Sequence, residues 1–301
     1  MGGLPRWCAA VVGAGTVAVL MTLGGFAALA QTTVNLGRAT PFAVLSGTGV
    51  TNQPSAGITT IYGDLGANPT GSVTGFPPGI VEPPSTTYTA DSVALGAQND
   101  LITAYNQAAG ETPATIVAAS TSGDLTGANL GPGVYQTTSD GALSLTGTLT
   151  LNGEGVYIFQ TGSSLVTGTS SMVSLIGGAS PCNVFWQVGS SATLDGPTFV
   201  GTVMALTTIT LGDGVTVDGR VLAQNGAVTL IHDTINASAC TTAGVPTKTA
   251  GVPTKTAGVP TTGAARSSLV EAGVLLAVGG LALVGTSVAM GSFRRRRVLS
   301  A

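Results

Sequence analysis

Short runs in which apolar and polar residues alternate recur through the middle of the chain. Between Leu143 and Leu151 the odd-numbered positions are leucine or glycine, and the even-numbered positions are serine or threonine. Side chains of a β-strand point alternately to its two faces, so this run predicts one half-buried strand with a leucine face inside. Its outer face would be a row of short, stiff hydroxyl side chains that no charge interrupts.

Similar runs occur elsewhere at irregular intervals. They span Thr207 to Leu211, Val215 to Val217 and Ala227 to Leu230, with Gly, Asp or Asn between them as turn residues. Upstream, Phe42 to Asn52 and Ile58 to Tyr62 are also strand-like. Short strands, frequent glycine corners and a repeating inward column of Val, Leu and Ile predict a mainly β fold, a solenoid of stacked coils.

One segment has the period of a helix instead. The apolar residues of its predicted inner face are Ala90, Val93, Ala94, Ala97, Leu101, Ala104, Tyr105 and Ala108. Thr89 is the expected N-cap, and Gly110 lies near the expected end of the helix. A single long amphipathic helix within a coil stack is expected to pack along one flank, where its alanines permit close approach.

The N-terminal segment has the features of a secretory signal. Arg6 precedes an apolar run from Trp7 to Leu29, and this run ends in the small-x-small pattern Ala28-Leu29-Ala30. We interpret residues 1–30 as a signal peptide, which would send the chain out of the cell. The run is long for a signal peptide, so an uncleaved N-terminal anchor helix is the alternative.

The C-terminal segment changes composition after Cys240. Residues 241–268 contain the repeat Ala243 to Thr249 and its copy Ala250 to Thr256, which are too rich in proline and small residues to bury a core. Residues 269–293 are almost entirely apolar and long enough to span a bilayer, and four arginines follow in the tail 294–301. The arginines predict a cytoplasmic C-terminus. We therefore expect one folded domain, residues 31–240, anchored on the outer surface of the cell.

Residues 259–263, Val-Pro-Thr-Thr-Gly, followed by an apolar helix and a basic tail, resemble the cell-wall sorting signal that sortases recognise in Gram-positive bacteria. The resemblance implies that a sortase cuts between Thr262 and Gly263 and joins Thr262 to peptidoglycan. The usual leading leucine is Val259 here, and the pentapeptide is also the last copy of the repeat. A plain membrane anchor through the apolar helix is therefore the alternative.

The composition restricts what the domain binds. Charged residues make up only 8% of the chain, against about 25% in typical soluble domains, and glycines number 45. The surface must be hydrated by neutral polar groups, which indicates an uncharged partner. With 10 basic and 13 acidic residues the chain lacks the basic stripe that phosphate backbones require, which argues against nucleic acid.

Two cysteines remain in the predicted exported domain. An even pair in an oxidising compartment predicts a disulfide between Cys182 and Cys240, and closing so long a loop contributes up to roughly 4 kcal/mol. Two unpaired buried thiols are the alternative. These cysteines and His232, the single histidine, are too few to form a metal site, and no cofactor is predicted.

Several segments of this domain closely resemble the microbial ice-binding protein family. They are Thr48 to Asn52, Gly63 to Gly66, Val73 to Gly79, Ala104 to Asn106, Asn183 to Leu194, Gly219-Arg220 and Gly226 to Leu230. The resemblance extends from about Gly37 to Cys240. It implies a right-handed, three-faced, discontinuous β-solenoid with one long α-helix alongside and one flat face that adsorbs to ice.

A threonine-rich strand face has properties that suit this function. Neighbouring coils lie about 4.8 Å apart and alternate residues of a strand about 6.7 Å apart, so outward threonines form a grid of methyl and hydroxyl groups. Such a grid can hold water in an ice-like order. Threonine is also simply a good strand residue. The candidate ice-binding residues are Thr146, Thr148, Thr150, Thr167, Thr169, Thr193, Thr208, Thr210, Thr216 and Thr229.

Two other functions fit the same architecture. A β-helix enzyme acting on polysaccharides would draw on Asp195, Asp213, Asp218, Arg220, His232 and Asp233. Paired carboxylates need a defined separation, and Asp195 and Asp213 have the sequence context of turns, so no catalytic residue is assigned. An adhesin or passive wall component would use the same anchor and differ only in what its exposed face recognises.

Overall fold

A computed structural model describes residues 31–53, 55, 57–116, 123–138, 141–237 and 240. The predicted signal peptide, spacer, membrane segment and basic tail lie outside the described residues, as do Thr262 and Gly263. Within the described ranges, no helix combines the length and the apolar character that crossing a bilayer requires.

The described residues form β-strands, one α-helix and two short 3-10 helices. The 3-10 helices are Gly37–Ala39 and Pro181–Asn183, and the α-helix, α1, is Ser92–Gly110. The strands in chain order are β1 Phe42–Ser46, β2 Gly49–Asn52, β3 Thr60–Tyr62, β4 Asp64–Ala67, β5 Val73–Thr74, β6 Ile80–Val81, β7 Thr87–Thr89, β8 Ala114–Ile116, β9 Asn129–Leu130, β10 Gly133–Gln136, β11 Leu143–Leu145, β12 Thr148–Asn152, β13 Tyr157–Thr161, β14 Leu165–Thr167, β15 Met172–Ile176, β16 Val184–Val188, β17 Ala192–Leu194, β18 Thr198–Ala205, β19 Ile209–Asp213, β20 Thr216–Ala223, β21 Ala227–Ile231 and β22 Thr234–Asn236.

Successive strands cover three faces in turn, and the named strands pair in parallel. The helix face contains, in stacking order, β8, β10, β13, β16, the second halves of β18 and β20, β1, β4 and β7. The seven-stranded face contains β11, β14, β17, β19, β21, β2 and β5. The third face contains β9, β12, β15, the first halves of β18 and β20, β22, β3 and β6. This arrangement confirms the predicted three-faced solenoid.

The order of the coils in space differs from their order in the sequence. The N-terminal strands β1, β2 and β3 pair with β20, β21 and β22, so the first coils stack beyond the last ones. As a result β7 and β8 lie at opposite ends of the helix face. Nine stacked strands span about 38 Å. The 19-residue α1, about 28 Å long, carries the chain back along most of that distance.

Inward side chains of the three faces form one apolar core. Leucine, valine and isoleucine fill most of it, and the aromatic rings of Tyr135, Phe159, Trp186 and Phe199 contact one another in sequence across neighbouring strands. The rings of Phe159 and Trp186 lie 4.1 Å apart, and Trp186 Nε1 donates a hydrogen bond of 2.9 Å to the carbonyl oxygen of Val200. The core therefore fixes the outward positions of every strand, because residues between two inward side chains must point out.

A second apolar cluster lies between α1 and the helix face. Ala97, Leu101 and Ala104 of α1 are fully buried against outward side chains such as Ile158 and Leu222. The predicted inner face of the helix is correct from Ala94 onward. The predicted N-cap was wrong, because Asp91 and not Thr89 caps the helix.

The start of α1 is set by a carboxylate. Asp91 Oδ1 accepts hydrogen bonds from the backbone N–H groups of Val93 (3.0 Å) and Ala94 (2.8 Å). Asp91 satisfies two free N–H groups of the first turn, so it excludes Thr89 from that role. Ala90 therefore precedes the helix, with a φ of 51°, and Val93 is exposed.

The run from Leu143 to Leu151 is not one strand, which corrects the sequence prediction. It divides into β11 on the seven-stranded face and β12 on the third face, with a corner at Thr146-Gly147. All four leucines nevertheless point inward. The alternation continues across the corner, so the pattern gave the right inner face and concealed the change of direction.

The disulfide between Cys182 and Cys240 is present, with Cα atoms 5.0 Å apart. Cys182 lies at the corner between β15 on the third face and β16 on the helix face. Ala237, which follows β22, donates its backbone N–H to the carbonyl oxygen of Tyr62 at the same corner. Cys240 therefore lies between the third face and the helix face, at the corner opposite the seven-stranded face.

Candidate functional site

One outward position of the seven-stranded face is in register across all seven strands. In stacking order it is occupied by Ser144, Val166, Thr193, Thr210, Thr229, Thr51 and Thr74. We call the five consecutive threonines, Thr193, Thr210, Thr229, Thr51 and Thr74, the threonine column. Their spacing follows that of the strands, about 4.8 Å.

A second column of small residues runs beside the first. Two residues before each threonine the strands or their leading residues carry Ser191, Thr208, Ala227, Gly49 and Ser72. Positions two apart along a strand are separated by about 6.7 Å. Each of these five coils therefore presents one of these residues followed by a threonine, and no residue of the two columns carries a charge.

The threonine column points outward because its neighbours in the strands are buried. Ala192, Ile209 and Val228 alternate with the threonines and are at most 1% exposed. Thr74 Oγ1 donates to Thr51 Oγ1 over 3.4 Å. The hydroxyls of the other three threonines make no hydrogen bond to another described residue, so they are available to water.

The other two faces are less suitable for contact with an extended surface. The helix face is covered by α1. The third face carries a charged Asp218 and an exposed Tyr62 in its second outward column. Among the described residues the seven-stranded face is therefore the best candidate site.

The predicted ice-binding threonines are distributed over two faces and the corner between them. Thr193, Thr208, Thr210 and Thr229 lie on the seven-stranded face, whereas Thr148, Thr150 and Thr216 lie on the third face. Thr146 lies at the corner, where its hydroxyl is 3.1 Å from that of Thr126, and Thr169 is exposed in a turn.

Thr167 was a wrong prediction. It is 1% exposed, and its hydroxyl accepts a hydrogen bond of 3.0 Å from the backbone N–H of Asp195 inside the solenoid. The sequence analysis also missed Thr51 and Thr74. The segment from Thr48 to Asn52 was read as a strand, but nothing in the sequence shows that it stacks beside β21.

The six residues considered for catalysis do not form one site. Asp218 lies on the third face, and Arg220 lies on the helix face, where its Nε donates to the carbonyl oxygen of Thr40 over 2.9 Å. Burial lowers the pKa of Arg220 to about 10. The described part of the chain contains no group of three or more His, Cys, Asp or Glu able to hold a metal ion.

The remaining four lie at the corner between the seven-stranded face and the third face. Asp195 directly follows β17 and Asp213 ends β19, and His232 Nδ1 is 3.5 Å from Asp213 Oδ1 in an exposed pair of little energetic weight. Asp233 is fully buried and accepts the backbone N–H groups of Val215 (3.0 Å) and Ile231 (2.6 Å). Burial raises the pKa of Asp233 to about 7, although both hydrogen bonds oppose the shift.

Comparisons with known proteins agree on one family. A family model described as Ice-binding-like matches residues 44–236. An ice-binding protein of Nostoc sp. (strain HG1) is 45% identical over 218 residues, which are 69% of this chain and 75% of that protein. An ice-binding protein of Colwellia sp. is 37% identical over 221 residues, covering 68% and 83% of the two chains.

Solved structures show the same similarity. The crystal structure of an ice-binding protein from an Antarctic biological consortium superposes with a TM-score of 0.63 at 40% identity, over 69% of this chain and 92% of that chain. The ice-binding protein of the ascomycete Antarctomyces psychrotrophicus gives a TM-score of 0.61 at 36% identity, over 68% and 98%.

Proposed function

Because the chain belongs to the ice-binding-like family, we propose that it binds ice and that its seven-stranded face makes the contact. The observation that supports this face is the threonine column, in which five consecutive coils carry an outward threonine in register. Ice is an uncharged, periodic surface, and the two columns of this face are uncharged and repeat from strand to strand.

Binding would be a sum of many weak contacts. Water over the threonine methyl groups is poorly bound by the protein, and the free hydroxyls anchor it at intervals set by the strands. An ordered water layer of this kind can merge with the ice lattice. Adsorbed protein then blocks the addition of further water at the crystal surface, which inhibits ice growth and recrystallisation.

Rigidity supports this use of the face. Each threonine is β-branched, with few accessible rotamers, and is held in a strand paired on both sides except at Thr74, the end of the column. Little side-chain entropy is therefore lost on binding. The buried Ile209 and Val228 beneath the column fix its backbone.

We also propose that the domain is displayed outside the cell. The sequence features that support this are the signal-like residues 1–30 and the apolar and basic segments after residue 268. Cys240, the described residue nearest to those segments in sequence, is joined to Cys182 at the corner opposite the seven-stranded face. Display on the surface would attach the cell to ice or protect its immediate surroundings.

The test of ice binding is a recrystallisation assay on residues 31–240. This part is expected to fold alone, because both apolar clusters lie within it and a solved ice-binding protein of which 92% is matched consists of little else. At micromolar dose it should keep ice grains small, whereas albumin at equal dose should not. Grain growth equal to that in buffer would reject the proposal, and binding to glycans or cells instead would favour an adhesin.

The anchor is tested separately with the full chain in a Gram-positive host. Release by muramidase but not by detergent indicates that a sortase has joined Thr262 to peptidoglycan, and changing Thr262 and Gly263 to alanine should then abolish that attachment. Release by detergent alone indicates a membrane anchor. Recovery in the cytoplasm would reject surface display and leave the ice-binding proposal intact.

A further inference from the structure

We infer that Arg220 binds a small carboxylate ion in a cavity at the edge of the helix face. Arg220 belongs to the second half of β20, and only 3% of it is exposed. The cavity that it lines has a volume of about 210 Å³ and is bordered by the Cys182–Cys240 disulfide. It therefore lies at the corner opposite the seven-stranded face, so this inference does not depend on ice binding.

Arg220 uses only one of its donor atoms within the described chain. Its Nε donates to the carbonyl oxygen of Thr40 over 2.9 Å, which joins the coil to the N-terminal segment. A guanidinium carries five N–H donors, so the four N–H groups of its two Nη atoms have no partner among the described residues. Burying a cation without a partner is unfavourable. An anion in the cavity would remove much of that cost.

The described chain places no carboxylate against Arg220. Its ion pairs are Arg38–Asp100 and His232–Asp213, and neither includes Arg220. Burial lowers the pKa of Arg220 to about 10, whereas a neighbouring carboxylate would raise it. The guanidinium is therefore buried without a negative partner from the described residues.

The chain segments that line the cavity do not supply the anion either. The N-terminal segment contributes residues 33–36 and Thr40 to the wall, and no Asp or Glu precedes Asp64 in the sequence. Cys240 also lines the cavity, and the next acidic residue after it is Glu271, within the predicted membrane segment. We therefore expect the anion to come from solution.

The chemistry of the cavity favours a carboxylate that carries a small apolar group. Because Nε is engaged, the two Nη groups form the free end of a planar fork, which matches the two oxygens of a carboxylate. Val34, Leu36 and Phe185 give the same cavity an apolar wall. The hydroxyls of Thr33 and Thr40 also line it and make no hydrogen bond to another described residue, so they are available as further donors. Acetate would use both kinds of wall.

The bound ion would fasten the N-terminal segment to the coil stack. Arg220 already holds the backbone of this segment at Thr40, and an ion between Arg220 and Thr33 would add a second connection. An ion that binds the folded protein and not the unfolded chain raises the melting temperature as its concentration rises.

The experiment measures binding of acetate to residues 31–268. The spacer is retained because a chain that ended at Cys240 would place a new α-carboxylate beside Arg220. Saturation-transfer NMR detects contact between the acetate methyl group and the protein, and calorimetry follows the melting temperature at constant ionic strength. Acetamide, which has nearly the same shape and no charge, is the matched ligand control.

The variants are Arg220→Gln and Arg220→Lys, of which the second keeps the charge and loses the planar fork. Arg38→Gln is the matched control, because Arg38 is an arginine of the N-terminal segment that already pairs with Asp100 at 3.0 Å. Circular dichroism shows whether each variant folds. If neither Arg220 variant folds, the comparison of acetate with acetamide on the wild type decides the question.

We expect the wild type and Arg38→Gln to bind acetate and not acetamide, and their melting temperatures to rise with acetate concentration. Arg220→Gln should weaken acetate binding about tenfold or more, because it removes the charged donors, and Arg220→Lys should weaken it by a smaller factor. Equal binding of acetate and acetamide by the wild type would overturn the inference. Wild-type affinity for acetate in the folded Arg220→Gln variant would also overturn it, and neither result would affect the ice-binding proposal.

Discussion

Thr210 lies directly opposite Thr229 on the neighbouring strand of the seven-stranded face, and both side chains point out of the solenoid. Their strand neighbours Ile209 and Val228 form the equivalent pair on the inside and are fully buried. The apolar pair fixes the position of the polar pair, because a strand cannot move one row without moving the other. Packing of the core therefore determines the regularity of the surface that we propose to bind ice.

The relative importance of methyl and hydroxyl groups can be tested at Thr210. Thr210→Val keeps the branched shape and loses the hydroxyl, whereas Thr210→Ser keeps the hydroxyl and loses both the methyl group and the rigidity of the side chain. We expect the serine variant to lose more thermal hysteresis than the valine variant. Val166 already occupies the same row, so valine fits this surface. A valine variant weaker than the serine variant would show that the hydroxyl dominates.

The disulfide should stabilise the domain without contributing to ice contact. Replacing Cys182 and Cys240 together by serine opens a loop with a sequence separation of 58, which we expect to lower the free energy of unfolding by about 2 to 4 kcal/mol. Urea unfolding measures this change, and a reducing agent should reproduce it in the wild type. Hysteresis of the folded variant near 0 °C should be unchanged, because the bond lies at the corner opposite the threonine column. Loss of hysteresis with the fold intact would contradict this account.

Stability should depend on pH through Asp233. Its pKa is raised by burial from 3.8 to about 7, so the folded protein binds more protons than the unfolded chain between these values. The contribution of Asp233 to the free energy of unfolding should therefore fall as the pH rises from about 4 to about 7, in total on the order of 4 kcal/mol.

The measurement is urea unfolding of wild type, Asp233→Asn and the control Asp213→Asn between pH 4 and pH 8. Asp213 is exposed, and its charge is the smallest of the causes that raise the pKa of Asp233, so its variant should keep most of the pH dependence of the wild type. The stability difference between wild type and Asp233→Asn should shift in favour of the variant as the pH rises. Parallel curves for these two proteins would show that Asp233 does not titrate in this range.

The inward residues were predictable from the sequence because they are set by short-range alternation. The leucines between Leu143 and Leu151 point inward as expected, although a corner divides their strands. The same alternation applied to β14 should have placed Thr167 inside, since it stands two residues after the buried Leu165. Thr167 was predicted to face outward because threonine is a common surface residue of strands, although its position relative to Leu165 indicated the opposite.

The register between distant coils was not predictable in this way. Thr51 joins the threonine column only because β2 stacks on β21, which lies almost 180 residues later in the chain. No local pattern encodes that pairing, because it depends on α1 returning the chain along most of the stack. The N-cap of α1 was not predictable either. It depends on where the helix begins, which lets the Asp91 carboxylate accept hydrogen bonds from two free N–H groups of the first turn.

The most direct test of the central claim is thermal hysteresis of residues 31–240 carrying Thr210→Tyr, measured beside wild type and Thr103→Tyr. A tyrosine at the centre of the threonine column should hold the surface away from the ice and remove most of the hysteresis, with an unchanged circular dichroism spectrum and melting temperature. Thr103→Tyr, on the exposed side of α1, should match the wild type. Full hysteresis in the folded Thr210→Tyr variant would contradict the assignment of the seven-stranded face as the ice-binding surface.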